Sequence, residues 1–112
     1  MAKDYYIYIL ECTNARLYTG CAVDLKKRFN EHVSGKGGAK FTRSFKPKKI
    51  TMSWRLSEGS WAEALRIEAY IKSLKRAKKL DIINNPMLLV DHIASLENYN
   101  GKLAVFDSNT NE

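Results

Sequence analysis

The segment YYIYILECTNARLYTG, Tyr5 to Gly20, decides the fold. Its first half alternates two sets of side chains, Tyr6, Tyr8 and Leu10 on one face and Tyr5, Ile7 and Ile9 on the other. Both sets are apolar, the pattern of a strand covered on both sides. CTNAR supplies a turn, since Asn14 tolerates turn geometry, and Arg16 to Cys21 reads as a short return strand that ends at Gly20. Four tyrosines in sixteen residues raise a chemical question. Tyrosine suits strands because its body is apolar and its tip polar, and packing accounts for Tyr5, Tyr6 and, further on, Tyr70. A phenol at mid-strand, Tyr8, with a second across the hairpin, Tyr18, can also move protons.

The elements that follow read outward from this hairpin. Asp24 is an N-cap for a helix over LKKRFNEHV, with Leu25, Phe29 and Val33 as its apolar stripe. SGKGG stops that helix. Lys36 to Lys49 is basic, contains Pro47 and has no clear period, so it reads as a loop. KITMSWRL is a third strand. Ser60 with Glu63 forms a capping-box pattern that opens a long helix through about Leu74. A short helix around Arg76 to Ile83 follows, and Asn85 with Pro86 opens a last one, MLLVDHIASL. From Asn98 the chain is polar apart from LAVF and is expected to be a loose tail. The order β, β, α, β, α, α predicts a small α/β (α+β) domain, a three-stranded antiparallel sheet flanked by helices.

Composition narrows the function. A chain of 112 residues, 45% hydrophobic and 11% aromatic, forms one domain with a real core. No run is long and apolar enough to span a bilayer, and MAKD leads straight into Tyr5 with no secretory pattern, so the expected location is cytoplasmic. Cys12 faces about Leu17 in the expected register and Cys21 lies well down the other arm, too far for a bridge, so both are expected to be reduced. The net charge of +7 is unevenly spread. Lys26 to Lys49 holds nine basic residues and one acid, Glu31, and Arg66 to Lys79 holds six and one, Glu68. Beyond Leu80 acids predominate. Two basic blocks in a small domain point to a polyanion partner, nucleic acid before membrane.

One set of residues stands out within this order. Arg28 and His32 are one helical turn apart and share a face. Glu68 sits in the long helix on the shoulder of an apolar stripe, where a carboxylate is costly unless it is paired or holds a metal. Together with YIY at Tyr6 to Tyr8, YTG at Tyr18 to Gly20, DLKKRFNEH, SGKGGAKFTR and EALRIEAYIKSLKRAKK, these residues give the chain a clear likeness: over about Tyr5 to Ile83 it resembles the GIY-YIG nuclease superfamily, and within it the small stand-alone bacterial proteins (UPF0213-like). Tyr6 stands where the family pattern has glycine, and Thr19 is the middle residue of the second tripeptide. An asparagine that many members carry beyond the glutamate has only Asn84 and Asn85 as counterparts.

The resemblance implies a nuclease-like domain over 4–83, with 84–112 as a helical extension and tail, and hydrolysis of phosphodiester bonds in DNA; at this size, with no second reading domain, only weak sequence preference is expected. It implies a single divalent metal, Mg²⁺ or Mn²⁺, held by Glu68, no organic cofactor, and a monomer or weak dimer. Tyr8 would be the general base, Tyr18 would orient the water or phosphate, Arg28 would bind phosphate oxygens and stabilise the developing charge, and His32 would accept the proton from Tyr8 or assist it. Lys27, Lys36, Lys40, Thr42, Arg43 and Arg76 are the expected nucleic-acid contacts, positioning the backbone without reading sequence. The plainer expectations are that Glu68 only pairs with Lys72, its i+4 neighbour, and that His92 is structural or solvent-facing. Two other functions stay open, a non-catalytic nucleic-acid-binding module and a basic domain that meets an acidic protein.

Overall fold

A computed structural model describes residues 3–106. The hairpin is β1 (Tyr5–Cys12) and β2 (Leu17–Ala22), joined by a 3₁₀ turn over Thr13–Ala15 in which Asn14 and Ala15 both have positive φ. After it come α1 (Leu25–Ser34), α2 (Lys40–Ser44), β3 (Pro47–Ser57), α3 (Trp61–Ser73), α4 (Arg76–Asn84), α5 (Met87–Ala94) and β4 (Lys102–Phe106). All strand pairings are antiparallel, in the order β2-β1-β3-β4. The architecture is α+β, as the sequence predicts, but the sheet has four strands rather than three. Lys102–Phe106, expected as part of a loose tail, pair with Ser53–Ser57 along the far edge of β3.

The two-sided apolar pattern of β1 is met by two cores. Ile7 and Ile9 lie with Trp54, Leu56, Ala64, Ile67 and Ile71 beneath α3, α4 and α5. Tyr8, Leu10 and Cys12 lie on the opposite face with Ala22 and Leu25, against α1 and α2. A one-residue shift between Ile9 and Leu10 lets Met52 and Ile50 of β3 serve opposite faces, as a β-bulge does. Leu89 and Ile93 of α5 complete the first core, and the Trp54 indole donates to the Pro86 carbonyl, so α5 is fastened to the centre of the sheet.

Three local expectations change. Lys36–Lys49 is not all loop, since it contains α2 and the start of β3. Cys12 pairs with Pro47, while Glu11 is the residue opposite Leu17; both cysteines are free. The inner face of α1 runs through Leu25, Phe29 and His32, whereas Val33 is about half exposed. Asp24 caps α1 by accepting from the Lys27 amide, and Ser60 caps α3 by accepting from the Glu63 amide. His92 is structural, its ring stacked on Tyr70 at 4.4 Å.

Candidate active site

The site is built on the α1–α2 face of the sheet, next to its β2 edge. Tyr8 is central because β1 is flanked on both sides and its even-numbered residues point toward α1. Its register partner across the hairpin is Gly20. A Cβ at that position would lie 2.5 Å from the Tyr8 hydroxyl oxygen and 2.7 Å from Cζ. The phenol is therefore laid across the backbone of β2, in space that only glycine leaves open.

From α1, His32 meets this phenol. Tyr8 Oη and His32 Nε2 are 2.9 Å apart, and both side chains are almost fully buried. The other ring nitrogen, Nδ1, is 2.9 Å from the Thr42 hydroxyl and 3.3 Å from the Ala39 amide. Burial holds the imidazole neutral, pushing it down to about 4, and the nearby Arg28 charge adds to that. Burial also pushes the Tyr8 phenol up, with Tyr18 contributing and Arg28 working against both. The resting pair is thus an uncharged phenol and an uncharged imidazole. Tyr18 stands edge-on to His32 at 5.1 Å and stacks on Phe41 at 5.7 Å, which walls the pair on the β2 side.

Arg28 is held at the rim. Its Nη1 donates to Glu31 Oε1 at 3.0 Å and to the Gly37 carbonyl at 2.6 Å. Glu31 was not among the expected site residues, although its i+3 spacing from Arg28 is a signal readable in the sequence. Thr42 changes role: instead of offering a surface contact to nucleic acid, it is 1% exposed and bonded to His32. Lys27, Lys36, Lys40 and Arg43 are exposed on α1, α2 and the segment between them, on the same face as Tyr8. Arg76 is exposed on α4, in the layer against the other face. None of the five pairs with a carboxylate among the described residues.

Glu68 comes from α3, on the opposite face from Tyr8, and approaches at the edge strand. It acts on Cys21 of β2, whose thiol is pushed up to about 12 by burial first and by the Glu68 charge next. Its side chain is 17% exposed, and Oε2 is 3.5 Å from the Lys72 ammonium. That same ammonium stands 5.9 Å from the centre of the Tyr18 ring, so Lys72 spans the edge of the sheet between Glu68 and the tyrosines. Among the described residues no three His, Cys, Asp or Glu side chains gather as a metal site. A cation here would have one protein carboxylate, a donor set that fits Mg²⁺, which keeps several waters and binds through one or two carboxylates plus phosphate oxygens.

Residues 4–81 match the model of the GIY-YIG catalytic domain. The chain belongs to the GIY-YIG family. That family is one of nuclease-type hydrolase domains, and a nucleic acid is the substrate its chemistry implies. The chain is 46% identical to a UPF0213 protein of Syntrophus aciditrophicus over 87 residues, 77% of this chain and 97% of that protein. It is 47% identical to a UPF0213 protein of Cupriavidus necator over 75 residues, 67% of this chain and 78% of that one. A UPF0213 protein of Bacillus halodurans, solved by NMR in solution, is 40% identical over 72% of this chain and 83% of its own, with a TM-score of 0.46. Among the described residues no helix is long and apolar enough to cross a membrane.

Proposed function

We propose that the protein is a divalent-metal-dependent endonuclease that hydrolyses phosphodiester bonds in DNA with little sequence preference, its catalytic unit lying within 4–83. The observation that carries this reading is the buried Tyr8–His32 pair, 2.9 Å apart, with Gly20 clearing its floor and Arg28 at its rim. A buried phenol bonded to a neutral imidazole is an arrangement for passing a proton, not for packing alone.

Burial raises the phenol, so a free phenolate is not the species that works. Tyr8 takes a proton from the attacking water as its own proton passes to His32 Nε2. One water O–H bond breaks and a new Tyr8 O–H forms. The old Tyr8 O–H bond becomes Nε2–H, and the water's freed electron pair goes to phosphorus as the P–O bond to the leaving oxygen breaks, its electron pair staying on that oxygen, which takes up a proton from solvent. Arg28 receives the phosphate oxygens, its planar fork suiting them. Substrate binding improves the acceptor: the Arg28 charge is the second cause of the low His32 value, and a phosphate against Arg28 offsets it. Tyr18 borders the space where the phosphate would lie. Glu68 would hold the divalent cation, which when bound neutralises charge on the phosphate.

The unpaired Lys27, Lys36, Lys40 and Arg43 on the same face would contact the DNA backbone, with Arg76 reaching it only where the strand wraps around the domain. One observation favours the second reading, a binding module without cleavage: Glu68 already has a partner in Lys72. Glu68→Gln separates the two. A metal-holding Glu68 predicts that the variant loses cleavage of supercoiled plasmid in Mg²⁺ or Mn²⁺ and binds Mn²⁺ more weakly, with DNA binding kept. Equal Mn²⁺ affinity in both forms would refute the metal role.

A further inference from the structure

The Thr42 hydroxyl is 2.8 Å from the Ala39 carbonyl oxygen and 2.9 Å from His32 Nδ1. A hydroxyl has one proton, and a carbonyl oxygen only accepts. The proton therefore lies on the Ala39 contact, and the Thr42 oxygen faces Nδ1 as an acceptor. Nδ1 then carries the ring proton. Because the buried ring is neutral, Nε2 is bare and accepts from the Tyr8 phenol. The opposite assignment leaves one of the two Thr42 contacts without a proton, either the two oxygens 2.8 Å apart or Thr42 Oγ1 and Nδ1 2.9 Å apart, and it makes Nε2–H a donor toward Tyr8. A single contact favours that opposite state, the Ala39 amide, 3.3 Å from Nδ1 and longer than both Thr42 contacts.

We propose that Thr42 is a positioning residue that fixes His32 as the Nδ1–H tautomer, so that Nε2 is free to take the Tyr8 proton. The catalytic consequence rests on the reading of Tyr8 as the base; the tautomer itself does not. The backbone explains how Thr42 reaches the ring. Thr42 sits in α2 and His32 near the end of α1, and the short segment between them crosses α1 at Gly38. A Cβ at Gly38 would lie 2.9 Å from His32 Cα and 2.9 Å from the Glu31 carbonyl, so the chain there is pressed against α1. Ala39, the N-cap of α2, is thereby held at the ring, and its carbonyl collects the Thr42 hydroxyl while Thr42 turns toward Nδ1.

The test uses the full chain labelled with ¹⁵N-histidine, in which long-range proton–nitrogen spectra tell a protonated ring nitrogen from a bare one. Wild type is expected to show His32 protonated at Nδ1, and Thr42→Ser, which keeps the hydroxyl, is expected to match it. In Thr42→Val the Nδ1–H loses its acceptor and the Ala39 amide, a donor, becomes the one remaining partner of Nδ1, so the proton should move to Nε2. Cleavage by that variant should fall by about 10²- to 10⁴-fold, the scale of a misdirected general base, with little change in melting temperature. Protonation at Nε2 in wild type, or an unchanged tautomer in Thr42→Val, would overturn the assignment. A reversed tautomer with undiminished cleavage would overturn its catalytic consequence. If wild type cleaves nothing, the nuclease reading fails, and the spectra still decide the tautomer.

Discussion

Acid should weaken this fold through one ring. His32 is 1% exposed and pushed from the ordinary 6.5 to about 4 by burial and by Arg28, with Glu31 acting in the other direction. The folded value lies below the unfolded one, so the unfolded chain takes up a proton first as pH falls. The stability that comes from keeping the ring neutral is complete above 6.5 and is lost as pH drops toward about 4. That gap, at 1.36 kcal/mol per pH unit, sets an upper limit of about 3 kcal/mol. For a domain of this size that is a large part of a total of roughly 5–15 kcal/mol. Urea unfolding of wild type and His32→Gln, from neutral pH down to about pH 4.5, measures it. The glutamine variant has no ring to protonate and retains the carboxylates, so its curve subtracts their titration. Wild type is expected to lose about 2–3 kcal/mol more than the variant over that range. Parallel losses in the two proteins would refute the claim that His32 is held neutral by burial.

Gly20→Ala should press a methyl group into the Tyr8 phenol and move its oxygen away from Nε2, at a stability cost of about 1–3 kcal/mol. A variant that cleaves DNA at the wild-type rate would show that the position of the phenol does not matter. Glu63 accepts from the amides of Asn100 and Gly101 at 3.0 and 2.8 Å, besides its contact with Ser60. Glu63→Ala leaves two backbone donors without a partner, at about 1–3 kcal/mol each, and should expose the amides of Lys102–Phe106 to hydrogen exchange. Unchanged protection there would mean that β4 is held by its ladder with β3 alone.

What the sequence made legible was local. The two-faced alternation of β1, the turn at Asn14 and the caps at Asp24 and Ser60 are short-range signals, and each lies where it was expected. What was hidden depends on contacts distant in the chain. β4 is five residues between polar neighbours, recognisable as a strand only once β3 offers an edge. Glu63 reads as a capping residue, and nothing near it in sequence announces that it also ties down Gly101. Within the site, Arg28 and His32 share a face as their spacing implied, whereas the expected pairing of Cys12 with Leu17 would have turned Tyr18 away from Tyr8; the observed pairing of Glu11 with Leu17 brings both phenols to one face, and Glu68 arrives from the other side of the sheet. His32 occupies an inward position of α1 that the apolar stripe assigned to Val33, because a buried histidine carries no hydrophobic signal. Thr42 reads as a surface contact in sequence because it lies between Lys40 and Arg43, which are exposed, whereas its own side chain is buried.

The most direct test of the account compares two tyrosines of one strand. Tyr6 and Tyr8 point to the same face of the sheet, but Tyr6 meets the Phe106 ring at 5.0 Å while Tyr8 meets His32. Tyr8→Phe and Tyr6→Phe each remove one hydroxyl and leave the ring in place. Cleavage of supercoiled plasmid at saturating Mg²⁺ is expected to fall by about 10²- to 10⁴-fold in Tyr8→Phe and to stay near wild type in Tyr6→Phe. Equal rates for the two variants would contradict the claim that the Tyr8 phenol carries the proton.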